Sequence, residues 1–271
     1  MSLFRKKLTL VIDAGNTNVV FALADDARIV AEYRHETNAR ATADDLAVWL
    51  LPLLQLDKYS FNDITAVVIA SVAPALDYAL RLLVRKYLKA EPLFINADIH
   101  LPFAVRLPRP EQLGADRLAN AAGTRANYPC PAIVIDLGTA TTFDVLDGDG
   151  NYIGGAIAPG PQQSLRALTD AAAKLPHIHI TRPAKALGYD TISAMQSGLF
   201  WGYVGLIEGI LKQLQNENGM AASIIATGGL AKLFQDHIPG LTAVDSEITI
   251  KGALALLEYQ KQKETKVNYG K

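Results

Sequence analysis

An aspartate that ends an apolar run and is followed two positions later by glycine occurs twice in this chain, as Ile12-Asp13-Ala14-Gly15 and as Ile135-Asp136-Leu137-Gly138. Each copy sits inside the same pattern of three short strands. A strand order repeated along a chain has to build two similar sheets, so this duplication limits the possible folds more than any other feature. In the first copy, apolar runs over Leu8 to Asp13, Val19 to Leu23 and Ile29 to Tyr33 are divided by turns at Ala14-Gly15-Asn16 and Asp25-Asp26. A helical pattern from Thr42 (Leu46, Trp49, Leu50, Leu53), a strand Ala66 to Ala70, a helix Leu76 to Leu88 and a strand Leu93 to Ile95 complete the order βββαβαβ. In the second copy, Ala132 to Asp136, Thr142 to Leu146 and Tyr152 to Ala158 repeat the meander. A helix from Gln162, a polar stretch to Asp190, a long helix from Thr191 to about Leu214, strand Ser223 to Ala226, helix Leu230 to Gln235, strand Leu241 to Val244 and a helix from Lys251 follow. Pro108-Arg109-Pro110 interrupts the pattern between the copies, which places a domain boundary near Gly114 to Gly123 and gives halves 1–117 and 118–271. No low-complexity linker joins them, so the halves are expected to pack around one cleft.

Composition narrows the function. Half of the 271 residues are hydrophobic, enough for a substantial core and against general disorder. A net charge of −1 gives no reason to expect nucleic acid or an anionic membrane as partner. Arg5-Lys6-Lys7 reads as a solvated N-terminus, because the apolar run behind it ends at Asp13, too early for an export signal. The longest uncharged run, Thr191 to Ile207, carries three glycines and falls short of the roughly 20 residues of a membrane span. Cys130 is the only cysteine, so neither an internal disulfide nor a cysteine metal cluster can form, and a reducing cytoplasm is the expected compartment.

The two Asp-x-Gly turns are the places to expect chemistry. Glycine lets the backbone bend and approach a ligand, and Asn16, Thr17 and Asn18, or Thr139, Thr141 and Thr142, add polar groups beside it. Such hairpins can cradle phosphates, and a neighbouring carboxylate can hold Mg²⁺ through a few oxygens and waters. Asp-x-Gly is also ordinary turn chemistry; its recurrence in matching meanders is what favours a site. A third glycine turn, Thr227-Gly228-Gly229, joins a strand to a helix, where a flat group or an anion can approach backbone. The P-loop, dinucleotide and protein-kinase fingerprints are absent from the sequence.

These motifs, with Gly114-Ala115-Asp116-Arg117, Asp136-x-Gly138-Thr139-Ala140-Thr141-Thr142, Gly154-Gly155-x-Ile157-x-Pro159-Gly160 and Ala226-Thr227-Gly228-Gly229, resemble the motif series of type III pantothenate kinases along nearly the whole chain. The resemblance implies an α/β fold of two duplicated ribonuclease-H-like domains closing on ATP, as in the acetate kinase, sugar kinase, Hsp70 and actin superfamily. It implies that the first phosphate loop runs Asp13, Ala14, Gly15, Asn16, Thr17, Asn18, Val19 and Val20, with Asp13 near Mg²⁺. It further implies that Asp136 binds a monovalent cation, K⁺ or NH₄⁺, and that Thr139 contacts ATP. Gly114, Ala115, Asp116 and Arg117 would bind pantothenate, with Asp116 as proton acceptor for its primary hydroxyl, and Thr191 would reach pantothenate across a homodimer interface. Leu107 stands where the family commonly has a substrate-contacting tyrosine. The implied reaction is ATP-dependent formation of 4′-phosphopantothenate, the entry to coenzyme A synthesis.

Physical logic agrees with those roles. Phosphoryl transfer asks mainly for positioning and charge neutralisation, so metal-holding carboxylates, backbone donors and one base suffice. Asp116 suits the base and Arg117 can pair with a substrate carboxylate, although an Asp-Arg pair also simply suits a helix start. Asp147, Asp149 and Asn151 open like a calcium loop but lack its later Gly and Glu, so a hairpin turn is expected there. His177 and His179 have no further ligands nearby and receive no metal. Asp144 shares a strand face with Thr142 and could support the cation or be a surface acid. Leu199, Tyr203, Leu206 and Ile210 form a stripe suited to core or dimer packing. A same-fold kinase for another small hydroxylated acid, a non-catalytic regulatory relative and an actin-like filament protein are the alternatives. Intact Asp13, Asp116, Arg117 and Asp136 speak against the regulatory reading.

Overall fold

The computed structural model describes residues 7–171 and 175–269. Arg5, Lys6 and three residues of the stretch before Asp190 lie outside the described residues. The strands are β1 (Leu8–Ala14), β2 (Asn18–Asp25), β3 (Arg28–Glu36), β4 (Ile64–Ser71), β5 (Leu93–Phe94), β6 (Ala132–Leu137), β7 (Ala140–Leu146), β8 (Tyr152–Pro159), β9 (Ser223–Thr227) and β10 (Ala243–Val244). The helices are α1 (Ala43–Leu56), α2 (Pro74–Leu83), α3 (Ala115–Asn127), α4 (Pro161–Ala171), α5 (Thr191–Asn218), α6 (Ala231–Phe234) and α7 (Ile248–Tyr269).

The duplication is reproduced strand for strand. One sheet runs β3-β2-β1-β4-β5 and the other β8-β7-β6-β9-β10. In each, the meander is antiparallel and the two later strands add in parallel to its first strand. The chain divides into two compact units. One consists of the chain through Phe103, Pro108–Ala126 and the chain from Ile248 onward; the other of Ala104–Leu107 and Asn127–Glu247. The sequence copies meet between residues 117 and 118, whereas these units assign α3 and α7 to the first sheet.

In the first unit, period-2 alternation sends Leu8, Leu10, Ile12 and Ala14 into a core shared with α1 and α2. Helix α1 starts where it does because Thr42 and Asp45 form a reciprocal cap, Asp45 N–H donating to Thr42 Oγ1 (3.2 Å) and Thr42 N–H to Asp45 Oδ2 (2.9 Å). Val11 and Asp13 therefore face the other side of the sheet, where α7 packs on β1 and β4. Helices α7 and α3 lie backbone to backbone: a Cβ at Gly252 would come 1.7 Å from the Ala119 carbonyl oxygen, and one at Gly123 2.3 Å from that of Ile248. Buried Thr249 donates to Asn120 Oδ1 at 2.6 Å across the same contact.

In the second unit, Ile133, Ile135, Leu137, Phe143 and Val145 join Phe200, Tyr203, Ile207 and Leu211 of α5 in the core. Asp136, Thr142 and Asp144 accordingly share the opposite face. Asp190 caps α5, accepting from Ser193 N–H at 2.8 Å, and this bond holds its carboxyl below the usual range. Residues 104–107 cross to this unit, where Val105 bridges to Tyr152 and Ala104 N–H donates to Asn151 Oδ1 (3.0 Å).

Candidate active site

Two features of the first unit meet at one end of its sheet. The hairpin after β1 closes through Gly15 N–H donating to the Asn18 carbonyl at 2.9 Å, with Asp13 in register against Val20 and Ala70. Asn16 and Thr17 are exposed at its tip. Just past the neighbouring strand β4, Val72 N–H donates to the Ala14 carbonyl at 2.9 Å, and Gly114 packs beside the Val72 side chain. Gly114-Ala115-Asp116-Arg117 thus stands near the end of β1, at the start of α3. The N-terminus of that helix is favourable for a carboxylate and for substrate anions. Asp116 Oδ1 accepts from Arg117 N–H at 2.7 Å, and a Cβ at Gly114 would come 2.5 Å from the same oxygen, so glycine there makes room for the carboxylate. Burial raises the Asp116 pKa, opposed by the backbone bond and the charge of Arg117. A raised value gives a better proton acceptor near neutral pH than an ordinary aspartate.

The second unit carries the matching turn. Asp136, at the end of β6, is in register with Thr142 and Thr227. Gly228 has φ +88° and sits so close that a Cβ would lie 2.6 Å from Asp136 Oδ1 and 2.7 Å from the Leu137 backbone. Gly160 is equally constrained: its N–H donates to the Thr139 carbonyl at 3.1 Å, and a Cβ would come 2.3 Å from the Gly138 and Thr139 oxygens. The turns 136–140, 159–160 and 227–229 therefore converge around the Asp136 carboxylate, with Thr139 exposed at the rim. Below them, buried Thr141 is hydrogen-bonded to Tyr203 of α5, whose burial pushes its pKa up to about 12. Tyr152 donates to fully buried Asp144 at 2.9 Å. Asp144 is thus a structured carboxylate on the Asp136 face and not a surface acid.

Not every expected site residue joins these groups. Thr191 is the exposed first residue of α5, twelve residues and roughly 18 Å along the helix from Tyr203. Asp147 accepts from Asp149 N–H (3.0 Å) and Asn151 N–H (2.9 Å) and pairs with Arg106, a hairpin turn as expected. His177 and His179 are exposed in a segment without regular structure.

The fold and these turns have relatives. A family model described as type III pantothenate kinase matches residues 9–213. A type III pantothenate kinase of Paramagnetospirillum magneticum is 49% identical over 261 residues, covering 96% of this chain and 99% of the relative. The chain belongs to the type III pantothenate kinase family. Membership makes it a kinase, a class that uses ATP. Among solved structures, a conserved Baf family protein from Campylobacter jejuni aligns with TM-score 0.59 at 16% identity, covering 93% of this chain and 99% of that one. A ROK family glucokinase from Streptomyces griseus, solved with glucose and AMPPNP, aligns with TM-score 0.53 at 14% identity, covering 94% and 99%. These likenesses show the fold: a duplicated α/β architecture of two ribonuclease-H-like domains. Among the described residues no helix is long and apolar enough to cross a membrane.

Proposed function

We propose that this family member transfers the terminal phosphoryl group of ATP to the primary hydroxyl of pantothenate, giving 4′-phosphopantothenate at the start of coenzyme A synthesis. The observation that carries the reading is Asp116: a carboxylate with a raised pKa, next to Arg117, at a helix start beside the Asp13 hairpin. Asp116 accepts the hydroxyl proton as the new oxygen–phosphorus bond forms, and Arg117 pairs with the substrate carboxylate. Asp13 through Val20 and Thr139 hold the nucleotide phosphates, largely through backbone N–H groups. Both Asp13 and Asp136 are partly exposed hard-oxygen ligands at strand ends, which suits Mg²⁺ near the first and K⁺ or NH₄⁺ at the second. When bound, these cations neutralise charge that builds on the phosphates.

A homodimer in the cytoplasm completes the reading. On α5, Gly198, Gly202, Gly205 and Gly209 form an exposed stripe with open space beyond each, and Leu206, Ile210 and Leu214 line an apolar groove with Ala156 of β8. Edge strand β8 presents exposed Ile157 on the same unit. A second copy docked there would let Thr191, at the exposed start of α5, serve the partner's pantothenate. Competing-acceptor assays test the substrate: pantothenate should be phosphorylated in preference to glucose, mannose and simple hydroxy acids. Preference for another acceptor, with Leu107 as the altered pocket residue, overturns it.

A further inference from the structure

We infer that Thr37 is a positioning residue that aims the amides of the first phosphate loop. The inference rests on the reading of Asp13 to Val20 as that loop. Thr37 follows β3 directly and makes two bonds to the hairpin: its Oγ1 donates to the Gly15 carbonyl at 2.7 Å and its N–H to the Thr17 carbonyl at 2.9 Å. In a trans peptide the C=O and the next N–H point in opposite directions. Tying the Gly15 and Thr17 carbonyls to Thr37 therefore turns the N–H groups of Asn16 and Asn18 away from Thr37, so that both become available to an anion.

Hairpin chemistry sharpens the point. A two-residue hairpin loop is usually closed by a reciprocal pair, here Gly15 N–H to the Asn18 carbonyl and Asn18 N–H to the Gly15 carbonyl. Only the first of these forms, at 2.9 Å, and the Thr37 hydroxyl occupies the Gly15 carbonyl instead. One side-chain bond thus replaces a closing backbone bond and releases an amide at the tip. The second copy has the same backbone clamp, Gly160 N–H to the Thr139 carbonyl, but no room for a side chain there. The hydroxyl device belongs to the first loop alone, and a β-branched residue with few rotamers suits it.

The test compares wild type with Thr37→Val, Thr37→Ala and Thr37→Ser, all of which keep the backbone bond. Expected for Thr37→Val and Thr37→Ala are a KM for ATP and a Kd for Mg-ADP about five- to tenfold weaker, a size that follows from one lost hydrogen bond. The KM for pantothenate should hold, and Thr37→Ser should restore nucleotide affinity. In the wild type, the Asn16 and Asn18 amide resonances should shift on addition of Mg-ADP, and in the valine variant they should shift less. Unchanged affinity and unchanged shifts in a folded valine or alanine variant overturn the role of Thr37 while leaving the phosphate loop in place. If the wild-type Asn16 and Asn18 amides ignore Mg-ADP, the loop reading fails and the inference falls with it.

Discussion

Burial raises the pKa of Asp116, so the folded protein binds its proton more tightly than the unfolded chain does. The carboxylate therefore destabilises the fold increasingly as pH rises from the ordinary aspartate range through the raised value. Asp116→Asn removes this cost. The variant and wild type should melt alike in acid, and the variant should gain on the wild type as pH climbs through that window. A melting difference independent of pH would contradict the burial argument. The same shift should place the acid limb of wild-type kcat/KM above the normal carboxylate range. Gly228 is the second residue whose chemistry is set by its surroundings. A methyl there meets Asp136 and the Leu137 backbone at φ +88°, so Gly228→Ala should cost about 1–3 kcal/mol of unfolding free energy in denaturant titrations and raise the KM for ATP. The motifs that carry Asp13, Asp116 and Asp136 were legible because each joins a distinctive residue to a strand or helix end. Thr37 was not: in Thr37-Asn38-Ala39-Arg40 it looks like any loop threonine, and nothing in its neighbours announces a hydroxyl reaching back to Gly15.

At the level of elements, the strands were legible because alternation and turn residues coincide, and most begin or end within two residues of their sequence limits. The affiliation of α7 was not. Chain order makes it the closing helix of the second copy, yet it packs on β1 and β4 and against α3. The signal lay in Gly123 and Gly252, two glycines inside helices with no turn to serve. Their contact seats the helix that carries Asp116. Gly252→Ala drives a methyl into the Ala119 carbonyl, and α3 must move to admit it. The expected result is a loss of about 1–3 kcal/mol in stability together with a fall in kcat, measured by denaturant titration and steady-state kinetics. A stable variant with full activity would mean that the position of α3 does not matter to the chemistry.

For the whole molecule, the duplication could be read from the sequence because two copies of one pattern reinforce each other, while assembly could be read only through resemblance. The exposed glycine stripe of α5 is the surface we propose for a homodimer: helices approach closely where side chains are absent, and Leu206, Ile210 and Leu214 would supply the apolar area. Replacing Gly202 or Gly205 by Glu should yield a folded monomer in light scattering, with pantothenate turnover reduced through loss of the partner's Thr191. A dimer that survives both changes would place the interface elsewhere.

ADP release with pantothenate as acceptor, with and without K⁺, in wild type and Asp116→Asn, tests the central claim most directly. Pantothenate-dependent release that requires K⁺ and collapses by orders of magnitude in the variant is the predicted result. Pantothenate-dependent ADP that persists in a folded Asp116→Asn protein, or its absence from the wild type under any monovalent cation, would contradict the account.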